Sequence, residues 1–361
     1  MHRRRLLALL AGAGTVGFAG CNQPRTAGTP TDGGTGSPPP STPTGSGDGG
    51  VYVQSFVERM GRLGTATAGP YRVALLYTVP HRFWTVTNGQ RSAVSKGEAE
   101  DGYRVHLMAT VWDPETGMAI PETGLSIELE RDGALVSEEV IYPMLSQRMG
   151  VHYGGNFTLP ADGDYRAQID VGALSIRRTG AFRDRFDEPA TAEIPFRFTA
   201  RDRQRIGTRE SPGAGDHGAV APMDTASMGT AFPLGRAPDV AAMPGTHLGT
   251  ARSGDAVFQA VRLADPPAGV DGSGPYLAVS ARTPYNRFVL PAMSLSAAAG
   301  SFDGELVRTL DPDLGYHYGA AIPELAAADR LRLTVSMPPQ IARHEGYERA
   351  FLTMSPMELS I

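Results

Sequence analysis

The chain has 361 residues, of which 44 are Gly and 29 are Pro. Turn-forming residues thus make up about a fifth of it, above the usual share of about 12%, which excludes long helical bundles and coiled coils. The net charge is -5, from 33 basic and 38 acidic side chains, so the sequence lacks the excess of basic residues that phosphate binding requires and predicts no nucleic-acid partner. Hydrophobic residues at 41% can fill one or two ordinary cores.

Residues 1–21 have the features of an export signal. Arg3-Arg4-Arg5 precedes a short apolar run that ends at Ala19-Gly20-Cys21. The run is shorter than the about 20 apolar residues that cross a bilayer. The arginine pair followed by leucines resembles a twin-arginine signal, and Phe-Ala-Gly-Cys resembles a lipobox. Cys21, the one cysteine of the chain, is the predicted lipidation site, and the alternative is an ordinary signal with a chance cysteine.

These features predict a protein that is exported and lipid-anchored at the outer face of the cytoplasmic membrane. Residues 22–50 are almost entirely Gly, Pro, Ser, Thr and Asp, without apolar periodicity. Such a composition cannot offset the entropy of ordering, so this segment is predicted to be a disordered stalk.

The remainder of the chain contains three short motifs that occur twice in the same order, which predicts two tandem copies of one module. The pairs are Leu63-Gly64-Thr65-Ala66 with Leu248-Gly249-Thr250-Ala251, Pro121 and Leu125-Ser126 with Pro291 and Leu295-Ser296, and Gly150-Val151-His152-Tyr153-Gly154 with Gly315-Tyr316-His317-Tyr318-Gly319. The first module is predicted over residues 51–200 and the second over 241–361, with a linker over 201–240.

The periodicity within the first module is that of β-strands. Apolar runs and alternating segments occur at Tyr71–Val79, Tyr103–Trp112, Leu125–Glu130 and Tyr165–Val171. Asp-Gly and Pro-Asp signals that are typical of turns separate them. The predicted fold is therefore all-β, with two tandem immunoglobulin-like antiparallel β-sandwich modules. One helix is predicted at Tyr52–Leu63, where apolar residues have helical spacing.

The segment Tyr142–Asn156 carries the residues that point to a function. It contains Met144 and the run Gly150-Val151-His152-Tyr153-Gly154. This segment resembles the periplasmic iron-transport-associated lipoproteins, β-sandwich proteins that bind copper and assist high-affinity iron uptake. The resemblance covers about residues 103–198. It implies that Met144 and His152 are metal ligands, and a soft thioether with an imidazole does select copper over calcium or magnesium.

The sequence departs from this family at two of its other site positions. The first strand lacks the family's His-x-Glu pair, and the family's later Gly-Arg-His stretch corresponds to Ala181–Asp184, without a histidine. His81, His106 and Met149 are candidates to complete the predicted site.

The second module offers fewer soft ligands. It keeps His317, but Asp311 and Asp313 lie where a methionine would be expected, and His344 falls where the family's later histidine would fall. His317 and His344 are therefore the candidates for a second site. A spaced group of methionines and histidines in or beside the linker is attributed to ordinary packing rather than to a metal tract; it comprises His217, Met223, Met228, Met243 and His247.

Two functions remain open from the sequence. The first is a cell-surface lipoprotein that binds copper or iron and assists iron acquisition, with an iron permease as partner by resemblance. The second is a structural or adhesion protein in which the His-Tyr-Gly turns only shape the fold, each histidine bonding the backbone. No nucleophile elbow, phosphate loop or zinc-protease motif occurs in the sequence, so we expect no enzymatic activity.

Overall fold

A computed structural model describes residues 50–361, except 99, 100, 230 and 329. The predicted signal, Cys21 and all but the last residue of the predicted stalk lie outside the described residues. The described residues belong to one compact unit. Among the residues described, there is no helix with the length and apolar character needed to cross a membrane.

The described chain is built almost entirely of β-strands, which confirms the predicted all-β class. Its first strands are β1 (Phe56–Arg59), β2 (Gly61–Ala68), β3 (Tyr71–Thr78), β4 (Phe83–Thr87), β5 (Gln90–Val94), β6 (Tyr103–Trp112), β7 (Leu125–Arg131), β8 (Ala134–Glu138), β9 (Tyr142–Ser146), β10 (Gly150–Leu159), β11 (Gly163–Val171), β12 (Arg177–Arg178), β13 (Ala190–Phe198) and β14 (Gly207–Glu210).

The later strands are β15 (Thr246–Ser253), β16 (Ala256–Leu263), β17 (Tyr276–Arg282), β18 (Ser294–Ala299), β19 (Phe302–Asp311), β20 (Gly315–Ala321), β21 (Arg330–Met337), β22 (Ala342–Arg343) and β23 (Met357–Ser360). One α-helix, α1 (Ala200–Arg205), is present in the described residues, together with single 3-10 turns at Gly180–Phe182, Ala226–Met228, Val240–Ala242 and Leu325–Ala327.

Two sandwiches follow one another along the chain, here called module one (β2 to β13) and module two (β15 to β23). Module one packs a four-stranded sheet, in the order β13-β11-β7-β8, against part of a larger sheet that begins β2-β3-β6-β10-β9. Module two has the matching orders β23-β21-β18-β19 and β15-β16-β17-β20-β19, because the long strand β19 takes part in both of its layers.

Each module contributes a short strand to the large sheet of the other. In module one, β22 lies parallel to β9 and joins it to the added hairpin β4-β5. In module two, β12 lies parallel to β19. A continuous cluster of buried apolar side chains extends through both sandwiches. The two modules are thus connected by backbone pairing as well as by side-chain packing.

The predicted helix at Tyr52–Leu63 is wrong, because this segment contains β1 and the start of β2. β1 is extended and pairs antiparallel with β14, which satisfies its backbone groups. The four apolar residues with helical spacing were too few to decide the conformation against a partner strand supplied from beyond residue 200.

The segment 201–240 lies against module one over much of its length. α1 begins at a capping box in which Thr199 and Asp202 bond each other's backbone N–H groups. Further on, Met223 and Phe232 are buried against Trp112 on the outer face of the large sheet. This packing gives the segment apolar contacts with module one.

The shared core predicts that a defect in module two destabilises module one. Phe351 is 1% exposed, and its replacement by alanine should cost about 3–5 kcal/mol through lost burial and a cavity. Both tryptophans, Trp84 and Trp112, lie in module one. We therefore expect Phe351→Ala to lower the urea midpoint that is followed by tryptophan fluorescence.

Phe186→Ala, a matched change of a buried phenylalanine within module one, should lower the same midpoint. Tyr285→Ser is the control, since this side chain is 54% exposed and its loss should change stability by less than about 0.5 kcal/mol. A fluorescence midpoint that Phe351→Ala leaves unchanged would show that the modules unfold independently.

Candidate metal centre

Three side chains that carry possible metal-ligand atoms project from the outer face of the large sheet of module one. His106 lies on β6, Met144 on β9 and His152 on β10. His152 is the direct cross-strand partner of Met144. Alternation along each strand directs these side chains away from the sandwich interior, into which their neighbours Leu107 and Leu145 point.

Two further histidines reach the same place from outside these strands. His344 follows β22, and its backbone N–H donates to the Leu145 carbonyl at 3.0 Å. This anchoring brings the His344 Nε2 to 3.2 Å from the Met144 Sδ. His81 lies in the loop after β3, with its Nε2 3.1 Å from the His344 Nδ1 and its ring centroid 4.2 Å from that of His106. One ligand atom from each of His81, His106 and His344 can be chosen within 4.8 Å of the other two.

Hydrogen bonds to acceptors fix the proton on three of the imidazoles. The His152 Nδ1 lies 3.0 Å from the Gly150 carbonyl, and the His81 Nδ1 lies 3.1 Å from the Val79 carbonyl. A carbonyl oxygen only accepts, so each Nδ1 carries the proton and each Nε2 keeps a lone pair.

Asn156 has the same effect on His106. Its amide nitrogen donates to the carbonyls of His81 and Ser95, so its Oδ1 is the atom that faces the His106 Nδ1 at 2.9 Å. The Nδ1 therefore donates, and the lone pair of His106 is on Nε2. Such hydrogen bonds are the usual means of orienting a metal-binding histidine.

Two of these three lone pairs, those of His106 and His152, have no proton donor among the described residues. The Nε2 atoms of His106 and His152 are buried without a hydrogen-bond partner. The His344 Nδ1 donates to the lone pair of His81, which leaves the His344 Nε2 lone pair facing the sulfur of Met144. Buried acceptors without a donor cost free energy, and a bound cation would remove that cost.

The backbone leaves space between these donor atoms. A Cβ placed on Gly154 would lie 2.9 Å from the His106 Nε2 and 3.2 Å from the Met144 Sδ. The absence of a side chain at Gly154 therefore keeps a volume open that both atoms border. The donor set of imidazole nitrogen and thioether sulfur suits a soft or borderline transition metal, so these residues fit the metal that the sequence predicted.

Burial keeps these imidazoles neutral. His152 is 1% exposed, and burial lowers its pKa from 6.5 to about 4. Burial also lowers the pKa values of His106 and His344 well below 6.5, and the other histidines of the cluster lower them further. Neutral imidazole is the form that binds a metal.

The structure brings together most of the predicted ligands, but not all of them. Met144, His152, His81 and His106 lie in one cluster, and His344 joins them although it had been paired with His317. Met149 does not belong to the cluster, because it packs in an apolar group with Met108, Trp112, Met223 and Phe232.

The expectation of a second site formed by His317 and His344 is thus corrected. The His317 Nε2 bonds the Tyr276 hydroxyl at 2.9 Å, and its Nδ1 bonds the Gly315 carbonyl at 2.9 Å. Tyr276 occupies in module two the strand position that His106 has in module one. Both nitrogens of His317 are therefore satisfied.

An arginine fills the rest of this equivalent place in module two. Arg177 on β12 donates to the Thr309 hydroxyl at 3.0 Å, the Tyr276 hydroxyl at 2.9 Å and the Gly319 carbonyl at 2.6 Å. Arg177 pairs with Thr309 just as Ala342 on β22 pairs with Met144. Thr309, Tyr276 and Gly319 are the equivalents of Met144, His106 and Gly154. The Arg177 guanidinium thus occupies in module two the place that is open in module one.

Sequence reasoning missed the assembly of this centre from both modules. The position of His344 within the family pattern was a usable signal, but the strand exchange that carries it to Met144 leaves no local pattern. Asn156 ends the segment Tyr142–Asn156, and its place two residues after Gly154 on β10 sets it opposite His106. Its role in orienting His106 could be recognised only once the pairing of β10 with β6 was known.

Comparisons with known proteins give the following matches. A family model described as a domain of unknown function (DUF7350) matches residues 241–360. No curated protein matches the chain. A copper-bound variant of Campylobacter jejuni P19 is a structural match at 17% identity, covering 39% of this chain and 97% of that chain, with a TM-score of 0.29.

Two structures of FetP from uropathogenic Escherichia coli also match. A copper-bound variant is 18% identical over 38% of this chain and 97% of that chain, with a TM-score of 0.28. The "as isolated" protein is 19% identical over 39% of this chain and 96% of that chain, with a TM-score of 0.30.

The lowered histidine pKa values predict acid sensitivity of the metal-free protein. Unfolding returns the buried histidines to a pKa of about 6.5, so below that pH the unfolded chain binds more protons than the native chain. The contribution of these histidines to the free energy of unfolding should be constant above about pH 7 and should fall as the pH decreases from 6.5 towards about 4. Each histidine contributes a slope of up to about 1.4 kcal/mol per pH unit.

Urea unfolding of the metal-free protein between pH 7.5 and 5, in steps of about 0.5 pH unit, measures this slope. His317→Gln should reduce the slope by one histidine's contribution, because burial lowers the pKa of His317 to about 4. A free energy of unfolding that does not change over this range would contradict the burial of neutral imidazoles.

Proposed function

We propose that this protein binds a transition metal ion, copper above all, in the centre formed by Met144, His106, His152 and His344. The observation that carries the proposal is the set of buried imidazole lone pairs without proton donors, beside an open volume at Gly154 that the His106 Nε2 and the Met144 Sδ border. His81 positions His344 through the hydrogen bond between their rings. Half-buried, it also lies at the solvent side of the centre.

The donor types favour copper over the other common cations. Calcium and magnesium prefer oxygen ligands, whereas this cluster offers nitrogen and sulfur. The affinity of such a site for divalent first-row metals rises to a maximum at copper, and the thioether of Met144 strengthens that preference. Iron(III), a harder ion, finds no carboxylate in the histidine cluster as described.

The cellular role follows from the sequence rather than from the centre. The resemblance of Tyr142–Asn156 to the iron-transport-associated lipoproteins supports assistance in iron acquisition, with a membrane iron permease as partner. The signal and lipobox features support export and lipid anchoring through Cys21 at the outer face of the cytoplasmic membrane. The two modules are interpreted as tandem copies of one fold, and the protein as a non-enzymatic metal carrier.

Calorimetric titration of the full chain with copper tests the proposal. We expect one ion per chain, because Arg177 fills the equivalent place in module two. His344→Ala and Met144→Ala should each weaken binding by at least about 100-fold, since each removes a donor. His81→Ala should weaken it by about 10–100-fold, the usual effect of losing a ligand's supporting hydrogen bond.

His317→Gln and Met149→Leu are matched controls, because these residues lie in module two and in the apolar cluster respectively. Both should bind copper as the unchanged protein does. Absence of binding, or binding that persists in His344→Ala and Met144→Ala, would contradict the proposed centre and would favour the structural or adhesion role.

The open volume at Gly154 provides an independent prediction. Gly154→Ala places a methyl group 2.9 Å from the His106 Nε2 and 3.2 Å from the Met144 Sδ, closer than van der Waals contact, so both donor atoms must shift. It should therefore weaken copper binding by at least about tenfold without removing a donor. Gly124→Ala is the control, because a Cβ there meets nothing within 4 Å.

The melting temperatures of the two metal-free variants separate a folding defect from a binding defect. If Gly154→Ala folds and binds copper as tightly as Gly124→Ala does, the ion does not occupy the space between His106 and Met144.

A further inference from the structure

We infer that the centre is selective for copper in the reduced, singly charged state, Cu(I), over Cu(II). This inference rests on the proposed function and concerns the charge of the ion that the site holds. It follows from four features: the neutrality of the donors, their burial, the buried guanidinium of Arg343, and the contrast with the equivalent place in module two.

All of the donor atoms are uncharged. The histidine cluster contains no Asp or Glu within the described residues. A bound ion therefore keeps its full charge. Thioether sulfur adds a further preference for Cu(I), the softer of the two ions.

Burial makes the net charge costly. Met144 and His106 are fully buried, and His344 is 8% exposed. The cost of transferring an ion from water into a medium of low dielectric constant grows with the square of its charge, so uncompensated Cu(II) pays about four times the penalty of Cu(I). Coordination by the neutral imidazoles and the thioether lowers the transfer cost of both ions, but Cu(II) still has the higher cost.

The charge on the strand that delivers His344 has the same sign as the metal. Arg343 is fully buried, donates to the Pro339 carbonyl at 2.9 Å, and has no other hydrogen-bond partner in the described chain. A guanidinium is a cation in proteins, so this side chain supplies no negative charge that would compensate a second charge on copper.

Module two shows what a compensating residue would look like. Gly315 pairs with Asp311 there, whereas the equivalent Gly150 pairs with Ser146 in module one. The Asp311 carboxylate acts on the charge of His317 and also accepts a hydrogen bond from Thr179 at 2.7 Å. Module one thus lacks a carboxylate at a position where the same backbone accommodates one.

Competition titrations of the full chain measure the selectivity. Bathocuproine disulfonate under anaerobic, reducing conditions reports the Kd for Cu(I), and nitrilotriacetate in air reports the Kd for Cu(II). We expect the Kd for Cu(I) to be at least about 100-fold lower, which places the reduction potential of the loaded protein about 120 mV above that of aqueous copper, at about 59 mV per tenfold.

Ser146→Asp restores the acidic residue of module two, and its carboxylate can still accept the hydrogen bond that the Ser146 Oγ accepts from the Met149 N–H. It should tighten Cu(II) binding more than Cu(I) binding and reduce the selectivity by at least about tenfold. Ser146→Asn is the neutral control of the same shape, and its selectivity should stay within about threefold of the unchanged protein.

The outcomes distinguish this inference from the function on which it rests. Tight binding of Cu(II) with equal or weaker binding of Cu(I) would overturn the selectivity and leave the metal centre in place. No binding of either ion would overturn both. If Ser146→Asp fails to fold, the ratio of the two Kd values in the unchanged protein still decides the question.

Discussion

The pairing of β22 with β9 is the interaction on which the metal centre depends. Two residues of module two, Ala342 and Arg343, lie parallel to Met144 and Leu145 of module one. This short ladder fixes the backbone of His344 and brings its imidazole to the sulfur of Met144. Without it, module one would hold one methionine and two buried histidines, and the donor set would be incomplete.

The same constraint explains why the two modules differ although their strand orders match. Each large sheet receives a strand from the other module, and the residue at the matching place decides what fills the space beside it. Ala342 is small and leaves the volume at Gly154 open, whereas Arg177 extends a guanidinium to Thr309 and Tyr276. Module two therefore carries a built-in cation where module one has room for a bound one.

The histidine of the His-Tyr-Gly motif has one nitrogen that serves the fold and another that is available to a metal. In both modules the histidine Nδ1 bonds the carbonyl of a glycine with positive φ, Gly150 or Gly315. That bond belongs to the fold, since it occurs in both. The Nε2 differs, because in module two it meets the Tyr276 hydroxyl and in module one it has no partner.

The sequence allowed the all-β class and most strands to be predicted, because alternation and turn residues are local signals. Met144, His106 and His152 were also predicted as ligands, and the structure places them on strands of one sheet. The role of His344 could not be obtained in this way, since nearly 200 residues separate it from Met144 and only the exchanged strand joins them. Tyr52–Leu63 failed for the same reason, as its conformation is set by β14.

A centre with this construction links metal binding to the folding of both modules. Its donors extend from His106 to His344, and their orientations depend on carbonyls and on Asn156, which are in place only in the native chain. A ligand that binds the native state alone stabilises it by mass action, so a bound ion would stabilise the whole unit rather than one module. Binding of the ion at the proposed centre therefore requires a chain in which both modules have already folded.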